Sequence, residues 1–173
     1  MPEHNPAHVL LTADQIRQRV AEMAGEVARD HPEGVHLVAI LKGAFVFLAD
    51  LVRQMDVTVS LDFIAVSSYG NRTSSSGDVQ WLGNLEAPIV DRHVVIVDDI
   101  VDTGLTLATL QQMMRTRAPR TLRTACLLSK PSRRQAQVKL DYVGFTIEDH
   151  FVVGYGLDYA DRYRNLPYIA VLS

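Results

Sequence analysis

Cysteine is almost missing from this chain: its 173 residues contain one, Cys126. A single thiol closes neither an intrachain disulfide nor a cysteine metal site. Its setting, Ala125-Cys126-Leu127-Leu128, reads as buried strand. Excess charge of either sign is missing too. Lys and Arg number 17 against 20 Asp and Glu, a net charge of −3. That is not the broad basic field that nucleic acid requires. No apolar run approaches the ~20 residues of a membrane-spanning helix; stretches such as Ala44 to Ala49 are far shorter. The opening residues, Met1-Pro2-Glu3-His4-Asn5-Pro6, have neither the basic nor the apolar region of a secretory leader. These absences predict a cytoplasmic protein that engages neither nucleic acid nor membrane. The 6 histidines show no ligand spacing. His93 and His150 each precede a strand and read as surface groups, Arg133-Arg134 as a solvated basic pair, and Trp81 as partial core.

What is present suffices for one compact unit. The length is that of about one domain, and 47% of the residues are apolar, enough for a sizeable core. Thr12-Ala13-Asp14-Gln15 has the pattern of a capping box. Ile16, Val20, Met23 and Val27 then lie on one helical face, ending near Asp30-His31-Pro32. Leu37 to Leu41 reads as a buried strand, interrupted by Lys42-Gly43 and followed by a helix over Ala44 to Met55. Val57 to Ser67 reads as a strand. Tyr69 to Gly77 is rich in Gly, Asn, Ser and Thr with no apolar anchor, a composition suited to a mobile lid over about 68–80. Residues 94–99 form a strand and 106–117 a helix. Leu122 to Leu128 and Tyr168 to Leu172 read as further strands. Strand–helix alternation predicts an α/β fold with a mostly parallel central sheet flanked by helices.

The densest chemistry lies between Asp98 and Thr106. Val94 to Val97 shows no polar alternation, so both of its faces are buried, as in a parallel sheet. It ends in Asp98 and Asp99, and ligands of open α/β sheets bind at the carboxyl ends of strands. Asp102-Thr103-Gly104-Leu105-Thr106 then offers backbone N–H groups and two hydroxyls just before a helix, a ready anion site. Carboxylates suit ribose hydroxyls because they accept two hydrogen bonds at once. Adjacent strand residues point to opposite faces, so Asp98 and Asp99 reach one ligand only where the strand has already turned. Ordinary helix capping explains two acids before a turn. It explains less well three acids, two threonines and a glycine within nine residues. The loop has neither the Gly-Lys-Ser/Thr of a P-loop nor a Gly-x-Gly-x-x-Gly fingerprint.

This segment resembles the ribose-phosphate motif of type I phosphoribosyltransferases, which use 5-phosphoribosyl-1-pyrophosphate (PRPP). Phe151-Val152-Val153-Gly154-Tyr155-Gly156-Leu157-Asp158 is similar to the purine-binding segment of the hypoxanthine-guanine branch. So are Leu41-Lys42-Gly43, Ser68-Tyr69, Leu128-Ser129-Lys130 and Tyr163-Arg164, in the family's order from about residue 37 to the end. The resemblance implies the type I phosphoribosyltransferase fold over 1–173 as a single domain. A small hood would come from the N-terminal segment and about 130–173.

It also implies a reaction and its machinery. A 6-oxopurine, hypoxanthine or guanine, attacks C1 of PRPP to give a nucleoside 5′-monophosphate and pyrophosphate, with Mg2+ bridging substrate oxygens. Asp102 is implied as general base or proton shuttle at purine N7, and Lys130 as the donor to exocyclic O6. Asp98 and Asp99 serve the ribose hydroxyls and the metal; many members carry Glu where this chain has Asp98. Thr103, Gly104, Leu105 and Thr106 hold the phosphate. Lys42 and Gly43 form the pyrophosphate loop, with a non-proline cis peptide implied there, and Arg164 binds the leaving pyrophosphate. Phe151 stacks on the purine, the Val152 backbone reads its edge, and Asp158 contacts the metal. Ser68 and Tyr69 begin the lid. The family forms homodimers or homotetramers. Two alternatives stand beside this reading. One is a xanthine-guanine enzyme, whose branch places Trp in the base-stacking region. The other is a PRPP-sensing regulator that binds RNA on the same fold.

Overall fold

The computed structural model describes residues 6–67, 80–82 and 85–172. In chain order the elements begin with β1 (Pro6–Leu11), α1 (Ala13–Asp30), β2 (Val35–Leu41), α2 (Phe45–Arg53), β3 (Val59–Ser67) and β4 (Gln80–Leu82). They continue with β5 (His93–Val101), α3 (Leu105–Arg115), β6 (Thr121–Ser129), a 3-10 turn (Pro131–Arg133), β7 (Tyr142–Thr146), β8 (Val152–Val153) and β9 (Ile169–Leu172). The main sheet runs β4-β3-β2-β5-β6-β7. All its pairs are parallel except β3–β4. A second, antiparallel sheet runs β1-β9-β8.

The sequence dictates this layering. Thr12 caps α1 in the expected capping box, its hydroxyl accepting from the Gln15 N–H while the Gln15 side chain accepts from the Thr12 N–H. The apolar face then buries Ile16, Val20, Met23 and Val27. Strands β2 and β5 are buried on both faces, and their period of two splits the core. Leu37, Ala39, Val95 and Val97 pack with residues of α1 and α2. Val38, Ile40, Val94 and Ile96 pack with Leu107, Leu110 and Met114 of α3. Parallel strands that carry helices on both faces read as continuous apolar runs, as these do. Among the described residues, no helix is long and apolar enough to cross a membrane.

Some surface expectations are corrected. His93 opens β5 half-buried, its Nδ1 2.8 Å from the Thr121 hydroxyl and its ring 5.2 Å from that of buried His31. Arg134 reaches inward to donate to the Ser129 hydroxyl at 2.8 Å. Both residues sit where neighbouring strands supply a polar partner, which a position before or after a strand does not reveal.

Cys126 lies fully buried in β6. Burial, reinforced by nearby Asp98, pushes its thiol up to about 12. The thiolate is the reactive form. The native protein at pH 8 should therefore take up no iodoacetamide over an hour, and one equivalent once unfolded. Labelling of the native protein at the rate of a free cysteine would contradict this burial.

Candidate active site

Parallel strands β2, β5 and β6 deliver their carboxyl ends to one edge of the sheet, and the candidate residues gather there. After β2 the Leu41–Lys42 peptide is cis. Gly43 follows in close contact with β5: a Cβ built on it would lie 1.7 Å from Asp99 Oδ2. Only glycine lets the loop approach that carboxylate.

The β5 strand does not turn after Asp98. Its pairing with β6 runs on in constant register, Asp98 with Cys126, Ile100 with Leu128 and Val101 with Ser129. Asp98 and Asp99 accordingly serve two adjoining recesses rather than one. Asp98 lines a cup of about 120 Å³ with Thr103, Gly104 and Thr106. Asp99 lines a cleft of about 380 Å³ with Lys42, Gly43, Asp158 and Arg164. Ile100 and Asp102 line both, so the recesses meet at Asp102.

The cup sits at the start of α3. Gly104 takes φ +81 at the N-cap and gives the helix no side-chain cap. The Leu105 N–H donates to the Thr103 hydroxyl at 3.4 Å, and the next first-turn N–H groups are left for a ligand. The segment after β6 straps this loop: the N–H groups of Gln135 and Ala136 donate to the Thr103 carbonyl at 2.8 and 3.1 Å. Leu105 is 38% exposed and lines neither recess.

The cleft collects the remaining groups. Lys130 leaves the end of β6 with its side chain only 8% exposed, its ammonium 3.7 Å from an Asp149 carboxylate oxygen. Phe151 is 55% exposed, which sets it apart from core packing. Its ring meets Tyr159 edge-on at 5.7 Å. Val152 beside it is buried in β8. Arg164 is oriented twice, donating to the Gly156 carbonyl at 2.7 Å and pairing with Asp158 at 2.8 Å. The other Asp158 oxygen accepts the Asp161 N–H. Lys42 stays exposed, 3.6 Å from Asp161. Ser68, Tyr69 and the lid expected over 68–80 lie outside the described residues, apart from the Gln80 backbone in β4.

Two charged neighbours were not apparent from sequence. Arg133, expected in solvent, donates from Nε to Asp102 at 3.1 Å and lies 3.7 Å from Asp149. The signal was Pro131, which opens a 3-10 turn directly after Lys130 and folds Arg133 back beside it. Asp149 carried no signal of its own.

Burial pushes the Asp98 carboxyl well above its ordinary range, and the Asp99 charge adds to this. Burial raises Asp99 as well, opposed in part by Arg164. A carboxyl raised on folding binds more protons folded than unfolded. Its contribution to stability is therefore lost as pH rises from the ordinary carboxylate value through the raised one. Asp98→Asn should raise Tm at pH 7 by about 2–4 °C for each kcal/mol relieved, and should not do so at pH 4. Equal shifts at both pH values would contradict the burial of charge at this position.

A larger hollow, about 580 Å³, lies between α1, α2 and residues 164–167. Of the candidate residues only Arg164 reaches it. Its acid, Asp50, is already engaged by the Tyr155 hydroxyl at 2.5 Å and by Arg53. The other described candidate residues, Leu105 apart, gather in the cup and cleft.

Comparison with known proteins gives the family. The model of the phosphoribosyl transferase domain matches residues 9–160. The hypoxanthine-guanine phosphoribosyltransferase of Bacillus subtilis is 44% identical over 174 residues, 100% of this chain and 97% of that protein. The enzyme of that name from Mycobacterium tuberculosis is 48% identical over 172 residues, 95% of this chain and 85% of that protein. A crystal structure of a Bacillus anthracis hypoxanthine-guanine phosphoribosyltransferase, with HEPES in its active site, superposes with TM-score 0.93 at 42% identity. It covers 98% of this chain and 100% of that one. A Trypanosoma cruzi hypoxanthine phosphoribosyl transferase superposes with TM-score 0.92 at 42% identity, covering 100% of this chain and 94% of that one.

Proposed function

The chain belongs to the phosphoribosyltransferase family, and from that premise we infer a purine-salvage enzyme. It transfers the 5-phosphoribosyl group of PRPP to N9 of hypoxanthine or guanine, giving IMP or GMP and pyrophosphate. The observation that carries this reading is the meeting of cup and cleft at Asp102. One recess suits a sugar phosphate; the other suits a base and pyrophosphate.

Each group has a physical role. The 5′-phosphate sits in the cup on the α3 N-terminus and the hydroxyls of Thr103 and Thr106. The ribose spans the junction of the two recesses, its hydroxyls facing Asp99 on the cleft side, with Asp98 on the cup side. Pyrophosphate occupies the Lys42-Gly43 side of the cleft, held by the guanidinium of Arg164, which grips phosphate oxygens in a fork. The purine stacks on the open ring of Phe151. Lys130 donates to its 6-oxo group and so disfavours a 6-amino group, which brings only donors there. As the C1–oxygen bond to pyrophosphate breaks and the N9–C1 bond forms, the base loses a proton, and Asp102 takes it through N7. The cleft's cationic side faces the leaving group while its carboxylates face the electron-poor sugar, which stabilises separated charge.

The donor set fits Mg2+. Among the described residues no three metal-ligating side chains cluster, but Asp99 and Asp158 face the same cleft. Mg2+ commonly keeps several waters and takes one or two carboxylates plus substrate phosphates. When bound it supplies charge neutralisation to the pyrophosphate.

The 1–173 unit acts as one domain, with the small β1-β9-β8 sheet as a hood over the base. It works in the cytoplasm as a homodimer or homotetramer. The test is a base panel: protein, PRPP and Mg2+ with hypoxanthine, guanine, xanthine, adenine or uracil. Hypoxanthine or guanine should be turned over fastest. A preference for xanthine would move the enzyme to the xanthine-guanine branch. PRPP binding with no turnover, together with RNA binding, would make it a regulator.

A further inference from the structure

Lys130 and Arg133 are cations one tight turn apart, and a single carboxylate lies between them. Asp149 presents Oδ1 to the Lys130 ammonium and Oδ2 to the Arg133 guanidinium, each at 3.7 Å. These are ion pairs, too long for direct hydrogen bonds. Arg133 in turn donates from Nε to Asp102 at 3.1 Å. The chain Lys130–Asp149–Arg133–Asp102 alternates in charge and sums to zero. It joins the residue assigned to the base's 6-oxo group with the residue assigned to its proton.

We propose that Asp149 is a positioning residue for base recognition, holding Lys130 directly and steadying Asp102 through Arg133. The inference rests on the purine-transfer reading given above. Its physical ground is the shape and setting of Lys130. A lysine carries a point charge on a flexible four-carbon stem, and this one is nearly buried at the end of β6. Among the described residues, Asp149 is the carboxylate with which it pairs. Without that partner the two cations face each other unscreened, and the ammonium turns away from Arg133 and from the base. Asp149 is itself half-exposed, so the pairs add little to global stability. Their effect falls on where the ammonium points. Asp149 lines neither recess and its direct contact with Lys130 lies on the base side of the cleft, away from Lys42 and Gly43, so PRPP binding is left alone.

The experiment is steady-state kinetics with base and PRPP varied separately, on wild type, Asp149→Asn, Asp149→Glu, Arg133→Gln and the Asp149→Asn/Arg133→Gln double variant. Asp149→Asn should raise KM for hypoxanthine and guanine about fivefold, the upper end for a partly exposed ion pair. KM for PRPP should stay within about twofold of wild type. Asp149→Glu should recover part of the loss, since it keeps the charge. The double variant should lose less than the two single effects combined, because both act on one chain of charges. Equal rises in both KM values, or a Glu variant as poor as the Asn variant, would overturn the inference while leaving the reaction intact. If Asp149→Asn unfolds, a purely structural role is indicated and the inference also falls. A wild-type protein that turns over no 6-oxopurine overturns the underlying reading, and the inference with it.

Discussion

Asp102→Asn should lower kcat by about 10²–10⁴-fold, the range of a lost general base, with KM for PRPP little changed. The substitution keeps size and shape, removes the ability to accept a proton and weakens the Arg133 pair. The phosphate cup does not depend on that charge. Its loop is held by Gln135 and Ala136 donating to the Thr103 carbonyl, and by glycine at position 104. Asp102 is also the residue at which cup and cleft meet, beside Lys130 on one side and Thr103 on the other. On the proposed reading, a carboxylate there stands beside both the forming glycosidic bond and the base. Single-turnover measurements locate the defect. A slowed chemical step with normal PRPP binding supports the assignment. A variant within about tenfold of wild type would mean that another group, or water, takes the proton.

Gly43→Ala should be nearly as damaging, by a different route. Its new methyl would lie 1.7 Å from Asp99 Oδ2, far inside van der Waals contact. Either the loop retreats from β5 or the Asp99 carboxylate swings out of the cleft. Both outcomes displace a group assigned to PRPP. A misplacement of about 1 Å at a reacting site can cost about 10²-fold, so kcat/KM for PRPP should fall by about that factor. The fold should survive, because Gly43 lies in a loop at the sheet edge and the core strands are untouched. Thermal melting close to wild type, together with weak PRPP binding by calorimetry, is the expected pair of results. Normal PRPP affinity would show that this loop does not contact the pyrophosphate.

The parts of the molecule visible in the sequence were those governed by local rules. Buried strands β2 and β5 announce themselves as unbroken β-branched and aliphatic runs, and α1 by its cap and its apolar face. The Asp98 to Thr106 motif is contiguous, so its chemistry could be read without knowing the fold. What stayed hidden depends on distant pairing. Strand β1 is six residues of half-exposed Pro6–Leu11, and it is a strand because β9 lies beside it, with Pro6 opposite Leu172. Strand β7 carries Gly144 in its middle, which weakens a strand signal. The division of Asp98 and Asp99 between two recesses follows from a β5 strand that continues to Val101, past the end at residue 99 that the sequence pattern predicts. Arg133 read as solvated because Pro131 marks a turn without revealing that the turn lays Arg133 across Asp102.

The most direct test of the central claim is product stoichiometry. Purified protein is mixed with PRPP, Mg2+ and hypoxanthine, and IMP and pyrophosphate are quantified together over time. The two products should appear in equal amounts, stop on chelation of Mg2+, and be nearly abolished in Asp102→Asn. Pyrophosphate released without IMP would mean that water, not the purine, attacks C1. Absence of both products, with PRPP bound, would contradict the assignment of this cleft to base transfer altogether.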